Sequence, residues 1–150
     1  MAKRNSKKNI SEKPRPMNEA VSKSMRSNKA KDTNPELIVR KMLWEAGLRG
    51  YRLHRKDIPG RPDIAFIGKK IAIFVNGCFW HRCPRCKRPL PKTNKEFWRS
   101  KFKTNVLRDR KNQRKISRLG WHSVVIWECE LKDDRRKLCQ RISRLLTSRE

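Results

Sequence analysis

Two apolar runs separated by a short turn constrain the fold more than any other feature of the sequence. Residues 63–67 read Asp-Ile-Ala-Phe-Ile, residues 71–75 read Ile-Ala-Ile-Phe-Val, and Gly-Lys-Lys lies between them. This spacing is typical of a β-hairpin. Because both runs are apolar at nearly every position, the hairpin is predicted to lie in a sheet that other elements cover on both faces.

Helical patterns flank the hairpin. A helix-start signature, Thr-Asn-Pro-Glu at residues 33–36, opens the first helix, and Gly47 is placed to end it. A long basic helix is predicted over residues 96–119 and a final helix over residues 133–146, while residues 51–55 and 121–129 are strand candidates. The predicted inward positions are Val39, Met42, Leu43, Ala46, Trp98, Phe102, Val106, Leu138, Ile142, Leu145 and Leu146. This element order predicts an α/β fold, a mixed sheet with helices on its faces.

The charge of the chain indicates a polyanionic partner. There are 41 Lys and Arg against 14 Asp and Glu, a formal net charge of +27, which favours nucleic acid because bound phosphates release counterions. Residues 1–33 are basic, lack aromatic residues and show no periodicity, so they are predicted to be a disordered arm that either binds nucleic acid or is an ordinary solvated tail. Residues 34–150 are predicted to form the folded domain. No apolar run indicates a membrane span or a secretion signal.

Four cysteines have the spacing of a metal site. Cys78, Cys83 and Cys86 lie within nine residues, and Cys129 at the end of a predicted strand can supply a fourth thiolate. Four thiolates suit tetrahedral Zn²⁺, and such a closed site has a structural role without chemistry of its own. The alternative is a set of free thiols. Cys139, on the last helix, is interpreted as a core residue.

Three polar residues stand at positions where chemistry is expected. Asp63 opens an apolar strand, so it either binds a divalent metal or pairs with a cation such as Arg61. Asp109 falls on the inward side of the long helix, where it is either a buried hydrogen-bond acceptor or the partner of a neighbouring Arg. His81 follows a strand end, and its candidate roles are general base and metal ligand, with Asp109 as a possible orienting partner.

Aromatic residues accompany the basic stretch at residues 82–118. Phe79 and Trp80 precede His81, while Trp98 and Phe102 fall on one side of the long helix. Aromatic side chains beside phosphate-binding cations can stack on bases or wedge between them. The alternative places Trp98 and Phe102 in the core, and for Phe102 we adopt it.

Several segments together resemble the very-short-patch mismatch-repair endonucleases, the Vsr family. They are residues 31–36 (Lys-Asp-Thr-Asn-Pro-Glu), 59–63 (Pro-Gly-Arg-Pro-Asp), 73–81 (Ile-Phe-Val-Asn-Gly-Cys-Phe-Trp-His), 96–98 (Glu-Phe-Trp), 108–110 (Arg-Asp-Arg), 119–121 (Leu-Gly-Trp) and 127–129 (Trp-Glu-Cys). The resemblance runs from about residue 22 to residue 131, in order and with compatible spacing.

This resemblance implies a restriction-endonuclease-like fold and a Mg²⁺-dependent enzyme with one or two catalytic ions. Its expected reaction is the nicking of one DNA strand 5′ to the thymine of a T·G mismatch, which arises when 5-methylcytosine deaminates, so that very short patch repair begins. Expected partners are mismatched double-stranded DNA, a cytosine-5 methyltransferase and a repair polymerase. The expected enzyme is a monomer in the cytoplasm of a bacterial-type cell, associated with the nucleoid.

The resemblance also implies residue roles. Asp63 and the main-chain carbonyl of Val75 would bind Mg²⁺, His81 would activate water, Asp109 would orient His81, and Glu36 would be an accessory acid. The remaining roles are a DNA wedge of Phe79, Trp80 and Trp98, one structural Zn²⁺ on Cys78, Cys83, Cys86 and Cys129, and an arm around Met25 and Arg26 that grips the minor groove, with residues 22–33 ordering on DNA.

Two departures from related nucleases limit this transfer. An acid and a Lys are usual on the second hairpin strand, but Phe74 and Asn76 stand there. Asn76 also replaces a second His of some members, and since an amide cannot transfer a proton at neutral pH it is at most a positioning group. The alternatives are a non-enzymatic zinc-containing protein that binds RNA or the ribosome, and a nuclease of the same fold that acts on another DNA structure.

Overall fold

The computed structural model describes residues 31–149. The elements are the helices α1 (Asn34–Glu45), α2 (Lys95–Arg118), α3 (Glu130–Asp133) and α4 (Arg135–Thr147), and the strands β1 (Arg52–Leu53), β2 (Ile64–Phe66), β3 (Ile71–Asn76) and β4 (His122–Trp127). The strands form one sheet in the order β1-β2-β3-β4, antiparallel except for the parallel pair β3 and β4. The predicted mixed sheet flanked by helices is confirmed. None of the helices within residues 31–149 is long and apolar enough to cross a bilayer.

Side chains alternate between two apolar layers, one on each face of the sheet. Ile64, Ile71 and Ile73 pack with α1 and α4, while Ala65 and Ala72 pack with Ile116 of α2 on the other face. The predicted burial of the hairpin on both faces is therefore confirmed, as is the core position of Cys139, which packs against the first layer.

Helix α1 begins and ends at the predicted residues, although its start uses a different hydrogen bond. Thr33 is the N-cap, but its hydroxyl donates to Glu36 Oε1 at 3.0 Å instead of accepting from the helix. Gly47 adopts a left-handed φ of 75° just after the helix, which glycine tolerates without strain. The prediction for Ala46 is wrong: it is exposed, because it is the C-cap and no longer follows the helical stripe.

The segment after β4 differs from the predicted continuous strand. The strand ends at Trp127, whose N–H donates to Glu130 Oε2 at 3.1 Å, and the Cys129 N–H donates to Cys78 Sγ at 3.4 Å. These two bonds turn the chain into the short helix α3, which the sequence did not predict. The cause is tertiary, because one of the two partners lies 51 residues away.

The connection from β3 to β4 carries most of the candidate chemistry. Parallel strands need a long crossover, and here residues 77–121 provide it with a cysteine-containing loop followed by α2. This crossover places the loop and one side of α2 beside the end of β3.

Candidate active site and metal centre

A cleft of about 770 Å³ opens where β3 ends and β2 begins. The crossover, the start of α1 and the sheet all contribute to it. Its lining includes Glu36, Asp63, Val75, Asn76, Trp80, His81, Asp109, Asn112 and Gln113. The structure therefore brings together acidic, imidazole and amide groups that are up to 77 residues apart in the sequence.

Asp63 is a largely buried carboxylate at the edge of the sheet. It lies just before β2, and its Oδ2 accepts the Val75 N–H at 2.7 Å. Burial raises the pKa of Asp63 to about 6, and the charge of Glu36 adds to the effect. Within residues 31–149 no Lys or Arg forms an ion pair with Asp63, so pairing with Arg61 is ruled out. A bound cation would supply the missing positive charge.

The backbone of Val75 lies beside the Asp63 carboxylate. In a β-strand the N–H and C=O of one residue point to the same side, so the Val75 carbonyl lies on the side of β3 where its N–H meets Asp63. The β2–β3 register, continued beyond Ile64 and Ile73, places Pro62 opposite Val75. Since Pro has no N–H to donate, Pro62 cannot satisfy this carbonyl. A carboxylate and a carbonyl oxygen suit a hard divalent cation such as Mg²⁺.

His81 and Asp109 form a hydrogen-bonded pair at the cleft. His81 Nδ1 lies 2.6 Å from Asp109 Oδ2. An ionised carboxylate only accepts, so Nδ1 carries the proton and Nε2 of a neutral ring has the lone pair. The possible pairing of these residues is confirmed as a contact, and within residues 31–149 no Arg forms an ion pair with Asp109.

Glu36 belongs to a polar network at the start of α1. Its Oε2 accepts the Asp32 N–H at 2.9 Å and its Oε1 accepts the Thr33 hydroxyl. Arg40 Nη2 lies 2.7 Å from Asp32 Oδ1 and 2.9 Å from His54 Nε2. Asp32, Glu36 and His54 place potential ligand atoms within 4.8 Å of one another, but the Arg40 guanidinium already supplies positive charge there. Sequence reasoning missed Arg40 and His54, whose separation in the chain gives no signal.

The four predicted cysteines form one cluster. The sulfur atoms of Cys78, Cys83, Cys86 and Cys129 all lie within 4.8 Å of one another, and the Cys83 and Cys129 sulfurs are 3.7 Å apart. Tetrahedral Zn²⁺ with bonds of about 2.3 Å separates its sulfur ligands by about 3.8 Å. Burial raises the pKa of the Cys78 thiol to about 12, so metal binding there must displace a proton. The cluster can hold a metal ion.

The predicted wedge residues belong to an aromatic cluster beside the cleft. The Phe79 ring centroid lies 5.1 Å from Trp80, 5.4 Å from Trp98 and 5.0 Å from Phe102. Phe79 and Trp80 are partly exposed, but Trp98 is only 9% exposed and stacks on Phe102. The core position of Phe102 is confirmed, and Trp98 lies beneath the two partly exposed rings.

Asn105 holds the backbone at Trp80 and was not predicted. It is buried, and its Nδ2 donates to the Trp80 carbonyl at 3.0 Å. Its position seven residues after Trp98 and three after Phe102, on the inward side of α2, was the available signal. Asn112 and Gln113, which line the cleft, follow Asp109 on the same helix. Met25 and Arg26, predicted to belong to the arm, lie outside the described residues.

Comparison with known proteins identifies relatives of the chain. The family described as DNA mismatch endonuclease Vsr matches residues 17–88. The Type II nicking enzyme V.XorIIP of Xanthomonas oryzae pv. oryzae is 41% identical over 109 residues, 73% of this chain and 79% of that protein. The DNA mismatch endonuclease Vsr of Escherichia coli is 38% identical over 111 residues, 74% of this chain and 70% of that protein. V.NmeAIP of Neisseria meningitidis, also a Type II nicking enzyme, is 40% identical over 118 residues.

The mixed sheet, the acidic cleft and these relatives together define an endonuclease with a restriction-endonuclease-like fold. The chain belongs to the Vsr family of DNA mismatch endonucleases.

Proposed function

We propose that this endonuclease nicks one strand of duplex DNA 5′ to the thymine of a T·G mismatch, in a reaction that depends on Mg²⁺. The observation that carries the proposal is the convergence of Asp63 and the His81–Asp109 pair on one cleft in a member of this family. The Escherichia coli relative bears the name DNA mismatch endonuclease, which favours a mismatch as the substrate.

Asp63 and the Val75 carbonyl are the proposed Mg²⁺ ligands, with one or two ions in the cleft. When bound, Mg²⁺ neutralises charge on the scissile phosphate and on the leaving 3′ oxygen. The buried carboxylate supports this assignment, since within residues 31–149 no Lys or Arg forms an ion pair with it. Glu36 is proposed to be an accessory acid and not a direct Mg²⁺ ligand, because both its carboxylate oxygens accept hydrogen bonds at the start of α1.

His81 is the proposed general base. Asp109 holds the proton on Nδ1, so Nε2 accepts a proton from water as that water attacks phosphorus. The bond between phosphorus and the 3′ oxygen breaks, and solvent protonates the released oxygen. Asn76 is buried at the edge of the cleft, where an amide can position water or phosphate but cannot accept the proton.

Mismatch recognition is assigned to the aromatic cluster. Phe79 and Trp80 are partly exposed beside the cleft, so they can enter an opened base step, while Trp98 supports them from beneath. A T·G step costs less to open than a matched one, which makes deformability part of the recognition. Met25 and Arg26 of the basic arm at residues 1–33 are proposed to grip the minor groove, with residues 22–33 ordering there.

The cysteine cluster is proposed to bind one structural Zn²⁺. Three thiolates from the loop and one from beyond β4 complete a tetrahedral shell with no open position. The ion would fix the loop that carries His81 and would take no part in hydrolysis.

The biological setting follows from the proposed substrate. Since T·G mismatches arise from 5-methylcytosine, the enzyme is proposed to act as a monomer with a cytosine-5 methyltransferase and a repair polymerase, in the cytoplasm near the nucleoid. A non-enzymatic RNA-binding protein would leave the Asp63, His81 and Asp109 arrangement without a role. A nuclease acting on another DNA structure is the second candidate, because several relatives are named Type II nicking enzymes.

Nicking assays on duplexes with and without a mismatch test the proposal. Purified protein with Mg²⁺ is incubated with duplexes that differ only in a T·G, T·A or C·G pair, and with a branched duplex, and the product ends are mapped. We expect a nick 5′ to the thymine of T·G, loss of nicking in Asp63→Asn, and retained nicking in the control Asp57→Asn, whose carboxylate pairs with Arg55 at the surface. Equal nicking of the matched duplexes would contradict mismatch specificity.

A further inference from the structure

A row of exposed arginines extends along α2 beyond the cleft. Arg110, Arg114 and Arg118 are four residues apart and therefore lie on one side of the helix. Together with Gln113 and Ser117 they line a second groove of about 450 Å³, here called the arginine groove. In the part of the chain that the structure describes, none of the three has a carboxylate oxygen within 4.0 Å.

Helix stability does not explain this row. Cations in the last turn of a helix interact favourably with the helix dipole, but only Arg118 of the three lies in the last turn of α2. Like charges four residues apart cost a few tenths of a kcal/mol per pair, about the size of one surface ion pair. Among residues 31–149 no carboxylate offsets the repulsion between Arg110 and Arg114, and an external anion would do so.

The arginine groove adjoins the cleft. Gln113 lines both, and the cleft is also lined by its neighbour Asn112 and by Asp109, about one turn nearer to the start of α2. We propose that one of the two duplex arms flanking the nick lies along the arginine groove, an inference that rests on the proposed function. Arg110 and Arg118 are about 12 Å apart along the helix, which corresponds to three or four base pairs.

The side chains of the arginine groove suit contact with the DNA backbone and not recognition of the bases. Its lining within residues 31–149 consists of three guanidinium groups, an amide and a hydroxyl, all of which can donate hydrogen bonds to phosphate. Arg, Gln and Ser contacts to phosphate set the register of a protein on a duplex but carry no sequence information. The arginine groove should therefore add affinity for one flank, equally for T·G and T·A duplexes.

The test compares DNA binding by a charge-reduced variant with that of the wild type at several salt concentrations. The variant is Arg110→Gln, Arg114→Gln, Arg118→Gln. Loss of three phosphate contacts should reduce the slope of log affinity against log salt by about 2.7. The affinity difference between the two proteins should then shrink about 40-fold when salt is raised from 50 to 200 mM.

A matched control separates local contact from total charge. Lys132→Gln, Arg136→Gln, Arg144→Gln removes the same charge from exposed positions on α3 and α4, and α4 packs on the opposite face of the sheet from α2. This variant should keep the wild-type slope. Equal slope reductions in both variants, or a wild-type slope in the α2 variant, would overturn the proposal.

Truncated duplexes test which flank is held. Shortening one arm of a nick-site duplex to about four base pairs should weaken wild-type binding more than shortening the other, and the α2 variant should lose that asymmetry. If shortening the two arms still has unequal effects on binding by the α2 variant, the preferred arm does not lie along the arginine groove, and the proposal is overturned. Wild-type protein that shows the predicted slopes yet nicks no mismatch would overturn the proposed function while supporting the arginine groove.

Discussion

Replacing Asp63 by Asn should make the metal-free protein more stable at neutral pH. The carboxyl has a pKa of about 6 in the folded chain against 3.8 without burial, so between these values the folded state binds more protons than the unfolded state. The free energy of unfolding therefore falls as pH rises through this window, by about 1.4 kcal/mol per pH unit and about 3 kcal/mol in all. Asn does not ionise, and its side-chain oxygen can still accept the Val75 N–H.

Urea unfolding in buffer without added Mg²⁺ measures this effect. At pH 7.5 Asp63→Asn should exceed the wild type by about 3 kcal/mol, and at pH 4.5 the difference should shrink by about 2 kcal/mol, because most folded molecules then hold the proton. Adding Mg²⁺ should stabilise only the wild type, by about 2.7 kcal/mol at a concentration 100 times the dissociation constant.

The control is Asp57→Asn. The guanidinium of Arg55 lowers the pKa of Asp57, so this replacement should bring no gain at pH 7.5. Two results would refute this reasoning. Either Asp63→Asn is no more stable than the wild type at pH 7.5, or the difference in their free energies of unfolding does not shrink on acidification. In either case the ionised Asp63 carboxylate does not destabilise the metal-free protein.

Four further predictions concern other parts of the site. Gly60→Ala should lower the free energy of unfolding by about 1–3 kcal/mol more than Gly50→Ala, as measured by urea unfolding. Both glycines have positive φ, but only at Gly60 would a Cβ meet Phe74 at 3.0 Å. Cys129→Ser should release the bound metal and lower the melting temperature, and elemental analysis that finds full zinc in the variant would contradict the fourth ligand. Asp109→Asn should slow single-turnover nicking about 100-fold with DNA affinity retained. Trp80→Ala should reduce the T·G to T·A nicking ratio, and an unchanged ratio would place that ring in a purely structural role.

The main helices and strands were predictable because each is indicated by a local sequence pattern. The apolar hairpin runs, the residues that end α1 and the inward side of α4 are periodic features of short segments, and each is found where it was expected. Helix α3 was not, because the bond from Cys129 to the Cys78 sulfur that turns the chain there joins distant segments.

The site was predictable residue by residue but not as a network. His81 and Asp109 were singled out because polar residues stood among apolar ones, and the structure brings them into contact. Asn105 stands out in the same way on α2. The Arg40–His54 contact has no such signal, since the two residues are 14 apart in the sequence and belong to no shared periodic pattern.

The crossover between β3 and β4 has a consequence for how the chain reaches its native state. The β2–β3 hairpin is local and closes a short loop, whereas β4 can join β3 only after residues 77–121 have been placed. Such non-local pairing is slow, and until it forms, β3 presents an unpaired edge that can capture another chain. Three cysteines lie at the start of the crossover and the fourth just after β4, so a metal held by all four ties both ends together. Refolding should accordingly be faster, and aggregation lower, when zinc is present from the first moment than when it is added after dilution from denaturant.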